Sequence, residues 1–124
     1  MSIVPQQDIW YGIVIKERQD YNALVDFWER HDDDLETLVE AVEDFAKKFG
    51  LEYHLIGYDS EDGIIIGKQI VSWGDFEVEK VSFSNLAIKE AEAKCLLTPE
   101  VVRAIQEFLG TQQEPQTWTI SYMF

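Results

Sequence analysis

At 124 residues the chain is long enough to bury most of its unfolded surface around one core and short for two, so one domain spanning 1–124 is expected. Hydrophobic residues make up 46% and aromatics 13%, which excludes a disordered chain even at a formal charge of -14. Twenty-four acids against 10 bases argue against direct contact with nucleic acid or an anionic membrane surface, since both need Lys and Arg to displace counterions.

The lone cysteine, Cys95, has no partner for an internal disulfide, which fits a reducing compartment. The opening residues lack a basic stretch, and the apolar run Ile9–Ile15 is bounded by Asp8 and Lys16. Neither a signal peptide nor a membrane span is expected, and the expected location is cytoplasmic.

In chain order, the run IWYGIVI at Ile9–Ile15 is short, continuous and β-rich, as a central strand buried on both faces would be. After Asp20, a candidate N-cap, Leu24, Val25 and Trp28 recur at helical spacing to about His31. Asp32, Asp33 and Asp34 interrupt that helix and start another, with Asp33 and Glu36 spaced as a capping box. Leu35, Leu38, Val39, Val42, Phe45 and Phe49 then form one apolar stripe, closed by Gly50. LEYHLIGY and IIIGKQIVSW predict a hairpin joined through DSEDG, and FEVEKVSF predicts a further strand with a bulge near Lys80.

Ser84 is the expected cap of a helix through NLAIKEAEAKCLL, and Thr98-Pro99-Glu100 that of the next, whose stripe is Val101, Val102, Ile105, Phe108 and Leu109. TWTISYMF alternates as a half-exposed strand. The expected fold is α+β: a single domain with a mixed, mainly antiparallel sheet of four to five strands, in the order β-α-α-β-β-(β)-α-α-β, and helices packed mostly on one face.

No catalytic signature emerges. Gly63 and Gly67 sit in a hairpin, with no phosphate-binding glycine loop before a helix. Cys95, inside a helix between Lys94 and Leu96, is expected to be a core thiol rather than a nucleophile. His31 and His54 are too few for a zinc site. Asp59–Gly63 has its glycine one position early for a calcium loop, so no metal and no cofactor is expected.

The acid itself is concentrated. From Asp20 to Asp44 there are ten acids and one base, Arg30, so this stretch carries -9 of the -14. Glu36, Glu40, Glu43 and Asp44 share an arc of roughly 100° opposite the apolar stripe and extend over roughly 12 Å, close to the charge density of a DNA strand. A solvated helix face would look similar, and Lys47 can pair with Glu43 at i,i+4. Like charges at Glu36/Glu40 and at Asp32–Asp34 nevertheless repel, and alternating signs would serve solubility better.

The expected function is therefore a non-enzymatic module of the inhibitor, immunity-protein or nucleic-acid-mimic kind, docking on a basic protein surface such as that of a nucleic-acid-binding protein. Its candidate binding residues are Asp32, Asp33, Asp34, Glu36, Glu40, Glu43 and Asp44, with Trp28 as the aromatic contact. The alternatives are a ligand-binding domain or enzyme with a pocket near Trp73 and His54, and a homodimer or assembly subunit joined through the sheet face that the helices leave bare.

Overall fold

The run of β-rich residues near the amino end forms the centre of the molecule. In the computed structural model, which describes residues 6–16, 21–56, 63–71 and 83–122, Gln6–Lys16 is strand β1, flanked by other strands on both sides. Side chains alternate between the faces of a strand. Ile13 and Ile15 are 0% exposed on one face, and Val14 (1%) and Trp10 (4%) are buried on the other, as a continuous apolar run requires.

The remaining elements are α1 (Tyr21–Arg30), α2 (Leu35–Phe49), β2 (Glu52–Ile56), β3 (Gly63–Val71), α3 (Phe83–Leu96), α4 (Pro99–Leu109) and β4 (Gln116–Tyr122). The spatial order is β2-β3-β1-β4, and every neighbouring pair is antiparallel. The sheet is thus antiparallel throughout its four described strands rather than mixed. Each helical crossover, β1-α1-α2-β2 and β3-α3-α4-β4, leaves a slot that a strand of the other unit fills, giving two interleaved split β-α-β units. Parallel strands are therefore never neighbours. Residues 76–82, most of the expected fifth strand, lie outside the described residues, as do the hairpin turn 57–62, Asp20 and Trp73.

The helices pack on one face. Leu24 and Phe27 of α1, Leu38, Val42 and Ala46 of α2, and Ile105 and Leu109 of α4 join Ile13, Ile15, Ile64 and Ile66 in the main core, with Leu96 and Leu97 at the end of α3. Phe108 gathers three helices: its ring stacks on Phe45 at 4.3 Å and 9° and meets Phe27 edge-on at 5.3 Å. The α2 stripe is centred on Leu38, Val42 and Ala46, so that Phe45 and Phe49 are flanking, half-buried members.

On the other sheet face Trp10, Val14, Ile65 and Ile120 form a second buried cluster, with Ile56 and Trp118 beside it. The centre of that face is already covered within one chain, and a dimer through it would remove little further surface there. The Trp10 indole N–H is buried in this cluster without an acceptor, whereas that of Trp118 donates to the Gly12 carbonyl at 3.1 Å. Gly12 and Gly67 face each other between β1 and β3, and a Cβ on Gly67 would collide with the Tyr11 carbonyl oxygen.

Of the two later helix starts, one differs from expectation and one agrees with it. Ser84 lies within the first turn of α3 rather than before it. Thr98 does cap α4, accepting from Val101 N at 3.4 Å with Pro99 in the first turn. Cys95 is exposed, not core: Ala93 and Leu97 take the inward positions of α3, and Cys95 falls on the opposite side.

Val42 is 0% exposed at the centre of the main core. Val42→Asp would bury an unpaired charge at a cost of several kcal/mol, comparable with the whole stability of a domain this size. The variant is expected to show no cooperative thermal transition by circular dichroism; a melting temperature equal to that of the parent would contradict the packing described.

Candidate functional site

The acidic corner between α1 and α2 is built by a chain reversal. Trp28 O accepts from Asp33 N at 2.9 Å and Glu29 O accepts from Asp32 N at 3.2 Å, the paired bonds of a Schellman helix end. In that motif the residue after the cap is left-handed and is most often glycine. Here it is Asp32, with φ 61°, and Asp33 follows at φ 51°. Two consecutive left-handed residues turn the chain sharply, and Asp tolerates this region better than most side chains.

Because Asp33 belongs to the reversal, the cap of α2 is Asp34, one residue later than the expected box. Its carboxylate accepts from the Thr37 hydroxyl at 2.7 Å and from Thr37 N at 3.2 Å. These bonds, the hydroxyl first, hold the Asp34 carboxyl below its ordinary pKa. At the far end Gly50, φ 67°, closes α2 with the same type of turn, donating to Ala46 O and Lys47 O.

The outer surface of α2 then continues the acid. Glu36, Glu40 and Asp44 are exposed, each about one turn from the next, so the row is roughly 12 Å long. Glu43 departs from them: it is half-buried on the flank and pairs with Lys47 at 3.3 Å. Among the described residues Glu29, Asp32, Asp33, Glu36, Glu40 and Asp44 form no ion pair. The nearby bases are otherwise engaged. Arg30 donates to Phe108 O at 3.1 Å, lies 3.7 Å from Asp26 and sits over the Phe27 ring, and Lys48 lies over Phe49.

Trp28 is not an exposed anchor. It is half-buried and packs against the main core, because α1 must cover the sheet with the side that carries Leu24 and Phe27. The exposed aromatic of α1 is Tyr21, 60% accessible and two turns before Trp28 on the same side of the helix. The i, i+4, i+7 spacing of Tyr21, Val25 and Trp28 carried that information in the sequence.

The chemistry available elsewhere is limited. A hollow of about 240 Å³ lies between β2, β3 and α3, lined by Glu52, Lys68, Gln69, Lys89, Glu92 and Ala93, with Lys68 paired to Glu52 at 3.4 Å. His54 lies on the other sheet face, its ring 6.2 Å from that of Trp10. Among the described residues no group of three or more His, Cys, Asp or Glu is gathered as a metal ion would require, and no helix is long and apolar enough to cross a membrane.

Two outcomes follow from these environments. Burial lowers the His54 pKa, opposed by the Asp8 charge, so folding favours the neutral imidazole. The unfolded chain then takes up the proton first as pH falls. This contribution is complete above the unfolded value of about 6.5 and is lost as pH drops through the lower folded value. Asp34 and Glu90, both lowered by hydrogen bonds, lose their contributions only nearer pH 4, the ordinary carboxylate range. The stability of the parent relative to His54→Gln is expected to fall as the pH drops below about 6.5; equal pH profiles would refute this. Asp32→Gly, relieving a left-handed side chain at a helix C-terminus, is expected to raise stability by about 0.5–1 kcal/mol in urea unfolding. A loss of stability there would contradict the Schellman geometry.

Comparisons of the chain with protein-family models, with curated proteins and with solved structures found no match, so the functional assignment rests on the geometry above.

Proposed function

We propose that the protein is a non-enzymatic binding module that docks the α1–α2 corner and the outer face of α2 on a basic protein surface. The observation that carries this reading is the continuous exposure of Asp32, Asp33, Asp34, Glu36, Glu40 and Asp44, with the neighbouring Arg30 engaged by the Phe108 carbonyl. Such a face attracts a basic partner over about a Debye length of 8–10 Å and accelerates encounter more than it tightens the final complex. A row of carboxylates one turn apart suits a surface that otherwise binds a phosphate backbone.

The cost of the arrangement supports the same reading. Left-handed Asp32 and Asp33 place negative charge at the carboxyl end of α1, where both the backbone conformation and the helix dipole favour other residues. The left-handed backbone alone would favour glycine or asparagine there, whereas a charged docking surface needs the carboxylates. Tyr21 and the half-buried Trp28 supply apolar area along α1.

Replacing Glu36, Glu40 and Glu43 with Gln and Asp44 with Asn removes the α2 carboxylates, and with Glu43 its exposed pair to Lys47, without touching the buried stripe. The variant is expected to keep or raise its melting temperature, because mutual repulsion is relieved. With a protein captured from cell lysate at low salt and released at high salt, its association rate should fall by roughly tenfold and lose most of its salt dependence. A variant that binds the captured protein as fast as the parent, with the same salt response, shows the acidic face to be solvated surface only.

A further inference from the structure

The hollow of about 240 Å³ between β2, β3 and α3 shares no residue with the acidic face, and its lining differs from the rest of a chain of formal charge -14. Lys68 and Lys89 set two ammonium groups beside the carboxylates of Glu52 and Glu92, and Gln69 and Ala93 complete the wall. Charge balances here, although the chain as a whole has 24 acids and 10 bases.

The sequence opens this space locally. Ala93 and Leu97 are the buried positions of α3, 4% and 6% exposed, and the smaller of the two lines the hollow. On the sheet side the β1–β3 ladder shifts register. Trp10 pairs with Gln69 and Ile9 with Val71, so Ile70 is one residue extra on β3. Such a bulge re-aims neighbouring side chains, and bulges are over-represented beside active sites.

Two of the four charges are held and two are free to engage a ligand. Glu52 Oε1 accepts from Gln69 N at 3.3 Å and lies 3.4 Å from Lys68 Nζ, which ties this pair to the sheet. Lys89 and Glu92 of α3 are exposed and form no ion pair among the described residues. Three residues apart on one helix, they are neighbours, with Cβ atoms about 5–6 Å from each other.

We propose that the hollow is a site for a free α-amino acid, bound through both of its charged groups. A simple anion would meet Glu52 and Glu92, and a simple cation would meet Lys68 and Lys89. Only a molecule carrying both signs close together is favoured by the whole set. Its carboxylate is placed between Lys68 and Lys89 and its ammonium beside Glu92, leaving Ala93 and the Gln69 amide for its side chain. The volume of about 240 Å³ is below the range of roughly 300–1,000 Å³ typical of sites for drug-sized ligands, which suits an amino acid better than a nucleotide.

The test is titration of the full chain with alanine, serine and glutamine, followed by amide NMR, with acetate and methylammonium as probes of one charge each. At least one of the three amino acids is expected to shift the Gln69 and Ala93 signals saturably, and at roughly tenfold lower concentration than either single-charge probe, a difference of about 1.4 kcal/mol. Lys89→Gln and Glu92→Gln, both at exposed positions, are each expected to weaken that binding roughly threefold to fivefold with an unchanged circular dichroism spectrum. Ala93→Leu is expected to fill the hollow and abolish binding, with folding checked in the same way. The proposal is overturned if none of the three amino acids gives a saturable shift, or if acetate or methylammonium binds as tightly as they do. Binding that neither Lys89→Gln nor Glu92→Gln weakens also overturns it.

Discussion

The structure depends on burying β1 from both sides. Ile13 and Ile15 point into the helix-covered core, Trp10 and Val14 into the second cluster, and α1, α3 and α4 all reach this strand from the same face. From Trp10 onward a slip of one residue would exchange the contents of two differently shaped cores, and the register with β3 shifts only ahead of that segment, between Ile9 and Trp10. Its neighbour β3 repeats the pattern, with Ile64 and Ile66 on one side and Ile65 on the other. The glycine pair at Gly12 and Gly67 lets the two strands approach where side chains would collide.

Helix packing around Phe108 connects this core to the charged surface. Stacking on Phe45 and edge contact with Phe27 bring α4 against both α1 and α2. That placement brings the last turn of α4 within reach of Arg30, whose guanidinium binds the Phe108 carbonyl. Cations near a helix carboxyl end are favoured by its dipole, so α4 gains what the acidic corner loses. The absence of an ion pair at Asp32 and Asp33 is in part a consequence of how three helices meet.

Charge is divided unevenly over the outside. α2 separates apolar and acidic sides sharply, while α3 shows solvent Ala87, Ile88, Ala91 and Cys95, with two acids and two bases along its flanks. The Glu90–Thr117 hydrogen bond joins α3 to β4. The molecule thus presents one strongly negative surface, on α2, and one of balanced charge, on α3.

Local sequence was sufficient wherever a short-range rule governs the outcome. The two-sided burial of β1, the α2 stripe, the Gly50 closure and the Thr98-Pro99 start are all legible from neighbouring residues, as is the solvent-facing position of Glu36, Glu40 and Asp44. Which aspartate caps α2 was not legible, because Asp32, Asp33 and Asp34 are chemically equal; the Schellman bonds to Trp28 and Glu29 commit the first two to left-handed turns and leave Asp34 for Thr37. Cys95 was misplaced for a related reason, and the half-buried position of Trp28 follows from the same rule. Residue type says how favourable burial would be, but the side of the helix that meets the sheet is set by Phe27 and Leu24 in one case and by Ala93 and Leu97 in the other. Strand order was beyond the sequence as well: alternation marks each strand and its two faces, whereas which strand becomes an edge is decided only when the two split β-α-β units interleave.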